Sequence, residues 1–131
     1  MMPKRMIDTE LWDDAKIVEN FTAEDTYFWL YLLSSPHGTI CGVVKCSPIT
    51  IGREMKYSTD CIKNLIERFE TYHNLIKYNR ENNEILIYNW AKYNWTNSPL
   101  MQKALENSLK TIKTEEFKKY IIDVAKNNRK T

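Results

Sequence analysis

The sequence predicts an α+β fold that is mostly helical, and three observations support this. A short β-branched run at residues 40–46 lies between helical patterns, and two further β-rich runs flank a polar turn at residues 80–83. Residues 48–73 between them have the pattern of two helices joined by a tight connection. With 131 residues, of which 43% are hydrophobic, the chain is long enough for one core of ordinary size.

The first helix is predicted over residues 23–34. Thr22 followed by Asp25 is typical of a capping box, which begins a helix. Apolar residues then recur at helical spacing, namely Tyr27, Leu30, Tyr31 and Leu33. Residues 5–21 are irregular and predict a short strand or turn. The breakers at residues 34–38 end the helix before the strand predicted over residues 40–46.

Two helices are predicted next. The second, residues 48–56, has Pro48 in its first turn and turns Ile49 or Ile51, together with Met55, toward the core. Ser58 is a good N-cap for the third, residues 59–73. Its apolar positions have amphipathic spacing and are Ile62, Leu65, Ile66 and Phe69. This pair matches the helix-turn-helix pattern.

Residues 75–79 and 84–90 predict a β-hairpin, or wing. A fourth helix is predicted over residues 99–111 and a fifth from Thr114, with a frayed basic tail at residues 126–130. The apolar stripe of the fourth helix is Leu100, Ala104, Leu105, Leu109 and Ile112. The order helix, strand, helix, helix, wing predicts a winged helix-turn-helix with extra C-terminal helices. We assign residues 1–96 to this domain with its N-terminal extension, and residues 97–131 to a helical extension that packs on it or serves oligomerisation.

Composition argues against several functional classes. Three scattered glycines are too few for a Walker loop or a dinucleotide fingerprint, so nucleotide hydrolysis is not expected. Three cysteines without a secretory leader predict reduced thiols in the cytoplasm. The longest apolar stretch, residues 27–33, is too short to cross a membrane, so no membrane association is expected.

Neither a metal site nor a catalytic site is expected. The candidate metal ligands are His37, Cys41, Cys46, Cys61 and His73. Cys41 and Cys46 are five residues apart, so in a strand they point to opposite faces and cannot share an ion. Catalysis would need a nucleophile near a histidine and an acid, which Cys61, His73 and Asp60 could supply, but Cys61 is more simply a small buried residue. No cofactor and no enzymatic activity are therefore expected.

Polar residues of the third helix and the wing are candidate DNA contacts. The helix supplies Ser58, Thr59, Lys63, Asn64 and Arg68, and the wing supplies Lys77, Arg80, Asn82 and Asn83. Asparagine pairs with adenine and Arg or Lys with guanine, while a wing touches phosphates or a minor groove. The alternatives are a solvated helix face and an ordinary polar hairpin tip.

Charge and aromatic residues add weaker indications. Residues 1–44 carry 3 basic and 7 acidic residues, residues 45–92 carry 8 and 6, and residues 93–131 carry 8 and 4. A net acidic N-terminal third followed by a net basic remainder of the chain is compatible with one face of the protein binding a polyanion. The aromatic group Tyr88, Trp90, Tyr93 and Trp95 could stack single-stranded bases, or it forms a cluster that joins the wing to the fourth helix.

Several of these segments also resemble a known family. The residues concerned are 30–33 with Ser35, Pro36 and His37; Gly42, Val43, Val44 and Lys45; Leu75, Ile76, Lys77 and Tyr78; and Asn89, Trp90, Lys92, Asn94, Asn97, Ser98 and Pro99. Over residues 5–110, and most specifically over 90–99, the chain resembles the N-terminal domain of phage replisome organisers, the DnaD-like replication initiators of Gram-positive bacteria and their phages.

The resemblance implies a winged-helix protein that binds double-stranded DNA at an origin-like region in the cytoplasm of a bacterial host. It also implies that the protein self-associates as a homo-oligomer and helps to recruit the replicative helicase or a helicase loader. The third helix and the wing would carry the DNA contact. The family usually continues into a longer C-terminal domain that faces the helicase or binds single strands. The alternatives are a protein interaction module or a transcriptional repressor built on a winged helix.

Overall fold

The computed structural model describes residues 4–96 and 98–129, without the side chains of Tyr93, Asn128 and Arg129. Predictions that concern Asn97, Lys130 and the Tyr93 ring therefore lie outside the described residues. The helices are α1 Ala15–Asn20, α2 Ala23–Ser34, α3 Pro48–Met55, α4 Thr59–Thr71, α5 Trp90–Asn94, α6 Pro99–Leu109 and α7 Glu115–Arg129. The strands are β1 Val43–Lys45, β2 Ile76–Asn79 and β3 Glu84–Ile87. The prediction of an α+β, mostly helical fold is confirmed.

The described strands form one antiparallel sheet in the order β1-β3-β2, with β3 in the centre. Successive side chains of a strand point to opposite faces, so each strand contributes to two layers. Val44 lies in a core built with α2, α3 and α4, whereas Val43 lies in a second core built with α6 and α7. The sheet is therefore covered by helices on both faces.

The predicted first helix is confirmed as α2, with its capping box. The Thr22 hydroxyl accepts from the Asp25 amide, and the Asp25 carboxylate accepts from the Thr22 amide, both at 3.1 Å. Its core-facing residues are Phe28, Trp29 and Leu32, whereas the predicted position Tyr27 is 43% exposed. Residues 27–33 are all apolar, so periodicity alone could not identify the buried face.

The predicted helix pair is also confirmed, as α3 and α4. Ile51 and Met55 are buried, whereas Ile49 is 60% exposed, so Ile51 rather than Ile49 faces the core. The Ser58 hydroxyl caps α4 by accepting from the Cys61 amide at 3.1 Å. Between the helices, Lys56 adopts a left-handed conformation with φ 69°, which ends α3 sharply.

The segments around the sheet differ from the predictions. Residues 5–21 form no strand but a short 3-10 helix, Thr9–Asp13, followed by α1. β1 is shorter than residues 40–46 because the chain turns at Gly42, whose φ is +86° and where an added Cβ would lie 2.6 Å from Trp90. β3 stops at Ile87, and Asn89, with φ 64°, turns the chain into α5.

The C-terminal helices α6 and α7 pack on the second face of the sheet. Leu105 of α6, Ile112 of the connection between the two helices, and Phe117 and Ile121 of α7 form one buried cluster with Cys41, Val43 and Leu86. The predicted stripe was wrong at Leu100, which is 82% exposed, because it lies about 140° around the helix from Leu105. α7 is helical to Arg129, and the last residue of the tail predicted to fray, Lys130, lies outside the described residues. None of the described helices has the length and apolar character needed to cross a membrane.

Candidate nucleic-acid interface

The solvent face of α4 carries the residues predicted to contact bases. Lys63 and Asn64 are exposed, and in residues 4–96 and 98–129 their side chains make no hydrogen bond or ion pair. Thr59 is partly buried at the start of the helix, and Ser58 is occupied as its cap. The amphipathic pattern thus leaves Lys63 and Asn64 projecting from the middle of the helix, where a partner can reach them.

Arg68, also predicted as a DNA contact, has a partner inside the protein. Its Nη1 donates to Asp25 Oδ1 at 2.7 Å, and Asp25 Oδ2 lies 3.0 Å from His73 Nε2. The side chains of Asp25 and His73 are each 1% exposed, whereas that of Arg68 is 40% exposed. This Asp25 network joins the start of α2 to the end of α4. The sequence analysis missed it because the partners are 43 and 48 residues apart.

The surroundings of Asp25 determine its ionisation. Burial by itself would raise the Asp25 pKa, but hydrogen bonds from the Thr22 backbone, His73 and Arg68, together with the Arg68 charge, lower the pKa below its ordinary value of 3.8. The carboxylate is therefore the favoured form in the folded protein.

We expect this carboxyl group to make folding acid-sensitive. A group with a lowered folded-state pKa contributes stability above pH 3.8, and the contribution is lost as the pH falls through the folded-state pKa. Urea unfolding measured from pH 7 down to pH 2 should therefore show a decline in acid that is smaller in Asp25→Asn. The same decline in the wild type and in Asp25→Asn would show that other carboxyl groups cause it.

Two of the four wing residues predicted to contact DNA, Lys77 and Arg80, are exposed to solvent. Asn82 Nδ2 instead donates to Thr114 Oγ1 at 3.0 Å. Asn83 adopts φ 50° and its Oδ1 accepts from the Tyr78 hydroxyl at 3.1 Å. The two asparagines therefore shape the hairpin turn and tie it to the C-terminal segment.

A buried carboxylate that the sequence analysis did not identify anchors the base of the wing. Glu84 in β3 is 0% exposed and accepts from the backbone amides of Lys113, at 3.0 Å, and Thr114, at 2.9 Å. It also accepts from the Thr114 hydroxyl at 2.6 Å. These donors lie just before α7, so Glu84 compensates the unpaired amides and the positive end of the helix dipole.

The charges at this interface are balanced. Exposed basic residues on α4 and the wing are Lys63, Lys77 and Arg80, and exposed acidic residues are Asp60, Glu67 and Glu81. Two further acidic residues, Glu54 of α3 and Glu70 of α4, make hydrogen bonds within the protein. Glu70 accepts from the Tyr78 amide at 2.9 Å, and Glu54 contacts His37. The surface therefore offers alternating charges rather than a continuous basic patch.

The aromatic residues after the wing serve packing. Nε1 of Trp90 and Nε1 of Trp95 both donate to the Ile40 carbonyl, at 3.0 and 2.7 Å. The Tyr88 ring lies 5.5 Å from that of Tyr120 in α7. Tyr88 and Trp95 also border the buried cluster that contains Leu105 of α6, the predicted fourth helix. These contacts favour a structural cluster over a platform for single-stranded bases.

The side chains of the three candidate catalytic residues, Cys61, His73 and Asp60, do not form hydrogen bonds with one another in the described part of the chain. His73 is buried and its Nε2 pairs with Asp25, while its Nδ1 has no hydrogen-bond partner in the described part of the chain. Cys61 is partly buried and Asp60 is exposed on α4. No contact within the described residues joins the three side chains into a catalytic set.

No protein-family model, curated protein or solved structure matches the chain.

Proposed function

We propose that this protein is a winged-helix module that binds double-stranded DNA. The order α2, β1, α3, α4, β2, β3 and the sheet order β1-β3-β2 are compatible with that architecture. The single observation that supports the function most is the solvent face of α4, the second helix of the pair. Lys63 and Asn64 stand there without partners in the described residues, beside a hairpin with Lys77 and Arg80 exposed.

Each side chain has a defined role in this proposal. α4 enters the major groove, where Asn64 pairs with an adenine edge and Lys63 contacts a phosphate at the edge of the groove. Lys77 and Arg80 of the wing contact the phosphate backbone. Arg68 acts differently, because its bond to buried Asp25 fixes the end of α4 and hence the angle at which the helix is presented.

The proposed biological role is initiation of phage or prophage DNA replication, as a homo-oligomer that helps to recruit a helicase or helicase loader. The resemblance of residues 5–110 to replisome organisers supports this role. Self-association is also supported by apolar side chains left exposed in the N-terminal segment, where Met6 is 95%, Trp12 58% and Val18 63% exposed. A transcriptional repressor would share the DNA contact, and mapping the bound sites in host and phage DNA would distinguish the two.

Lys63→Ala should weaken duplex binding about fivefold at low salt and flatten the dependence of log K on log salt by about 0.9, since one phosphate contact is lost. The measurement is fluorescence anisotropy with labelled duplex and single-stranded oligonucleotides at several salt concentrations. Lys103→Ala is the matched control, because Lys103 is an exposed lysine of α6 on the opposite side of the sheet. It should bind like the wild type.

Glu67→Gln provides the complementary test. Glu67 lies one helical turn from Lys63 and is exposed, so removing its charge should strengthen duplex binding by reducing repulsion of phosphates. Equal affinity and equal salt slope for the wild type, Lys63→Ala and Glu67→Gln would exclude α4 from the interface. A preference for single strands would instead favour stacking on aromatic residues.

The second candidate function is a protein interaction module on the same fold, and the balance of Lys63, Lys77 and Arg80 by Asp60, Glu67 and Glu81 favours it. Alternating charges give specificity to protein partners, whereas DNA attracts a basic surface. No duplex binding at low salt, together with a partner retained by Lys63→Ala in a pulldown, would support this function over DNA binding.

A further inference from the structure

Three potential metal ligands from separate segments meet beside α3. His37 lies in the turn after α2, Cys46 follows β1, and Glu54 belongs to the last turn of α3. One ligand atom of each lies within 4.8 Å of the other two. His37 Nε2 is 2.9 Å from Glu54 Oε2.

We propose that His37, Cys46 and Glu54 form a binding site for a divalent transition-metal ion of the zinc class. Imidazole nitrogen, thiolate sulfur and carboxylate oxygen are the three ligand types that Zn²⁺ takes in proteins. Metal–ligand bonds of about 2.0–2.3 Å in a tetrahedron place ligand atoms roughly 3.2–3.8 Å apart. The ligand atoms now lie up to 4.8 Å apart, so small side-chain rotations would bring them to the distances that a bound ion requires.

The backbone already holds the ligands in place. The Lys45 amide donates to the His37 carbonyl at 3.0 Å, which fixes the turn against β1. The His37 amide donates to the Ser35 hydroxyl at 3.1 Å. The Tyr31 hydroxyl donates to Glu54 and orients the carboxylate, as neighbouring groups do around metal ligands.

The exposure of the three side chains fits an ion that enters from solvent. Cys46 is 6% exposed and forms the floor of the site. The side chains of His37 and Glu54 are 32% and 34% exposed and form its rim. Three protein ligands leave a fourth position for water.

This site involves a partner that the sequence analysis did not consider. Cys41 and Cys46 lie in different cores, as their spacing of five residues predicts, and do not share an ion. The fold instead brings Cys46 to Glu54, which was absent from the candidate ligands. A bound ion would link the α2–β1 turn, the end of β1 and α3, and so stiffen the support on which α4 packs.

Titration of tag-free full-length protein with Co²⁺ under reducing conditions tests the proposal. We expect a saturable 1:1 absorption signal with a sulfur-to-cobalt charge-transfer band, which Zn²⁺ displaces. Cys46→Ser should abolish the band, and Glu54→Gln should shift the midpoint at least about tenfold upward. Cys61→Ser is the matched control and should keep the band, because Cys61 lies on α4 outside the cluster.

Cys46 is buried, so misfolding of Cys46→Ser would also abolish the band. A second measurement therefore uses variants of the two partly exposed ligands. Zn²⁺ should raise the Tm of the wild type and Cys61→Ser but not that of His37→Ala or Glu54→Gln, whose altered side chains are partly solvated. The proposal is overturned if no saturable 1:1 signal forms. It is also overturned if the absorption band survives Cys46→Ser, if Glu54→Gln leaves the midpoint of the titration unchanged, or if Zn²⁺ raises the Tm of Glu54→Gln as much as that of the wild type.

Discussion

Replacing Asp25 with alanine is expected to lower the free energy of unfolding by about 3 kcal/mol. The carboxylate is 1% exposed and accepts from the Thr22 amide, Arg68 Nη1 and His73 Nε2 at 3.1, 2.7 and 3.0 Å. Its removal abolishes half of the capping box of α2 and leaves the buried His73 without an acceptor. Urea unfolding followed by circular dichroism at pH 7 measures the loss.

Two further variants distinguish the stability lost with the Asp25 network from the effect of removing a charge in general. Asp60→Ala removes an exposed carboxylate from α4 and should change stability by less than about 0.5 kcal/mol. Arg68→Ala should cost about 1–2 kcal/mol, less than Asp25→Ala, because the guanidinium is partly solvated. An Asp25→Ala protein as stable as Asp60→Ala would contradict the structural role of the network.

Arg68→Ala also separates positioning from direct contact with DNA. If Arg68 acts only through Asp25, DNA affinity per folded molecule should fall without the change in salt slope expected for Lys63→Ala, because no phosphate contact is lost. A slope reduced by about 0.9 would instead show that the exposed part of the guanidinium reaches a phosphate.

Replacing Glu84 with alanine is expected to destabilise the protein by about 3–4 kcal/mol and to loosen α7. The fully buried carboxylate accepts from the amides of Lys113 and Thr114 and from the Thr114 hydroxyl. Without it these groups lose their acceptor and a cavity forms in the interior. Urea unfolding gives the loss, and hydrogen exchange reports the protection of the α7 amides.

The control for Glu84 is Glu81→Ala, which removes an exposed glutamate from the tip of the same hairpin and should have little effect. Glu84→Gln keeps the size of the side chain and one acceptor oxygen, so its stability should lie between those of the wild type and Glu84→Ala. Unchanged protection of α7 in Glu84→Ala would show that apolar packing of Phe117 and Ile121 suffices to hold the helix.

Local signals in the sequence determined most of the secondary structure. The Thr22–Asp25 capping box, Ser58 as an N-cap and Pro48 at a helix start defined where α2, α4 and α3 begin. The spacing of Ile62, Leu65, Ile66 and Phe69 identified the buried side of α4. These features depend on residues within one or two helical turns, which is the range over which sequence patterns are informative.

The tertiary structure alone decided how side chains from distant segments pair. Arg68 reaches Asp25 from 43 residues away, and Glu84 reaches Thr114 from 30 residues away. The same holds for Glu54, whose meeting with His37 and Cys46 depends on how α3 docks against the sheet. Periodicity shows which side of a segment is apolar, but the partner of a buried polar group depends on how separate elements pack together.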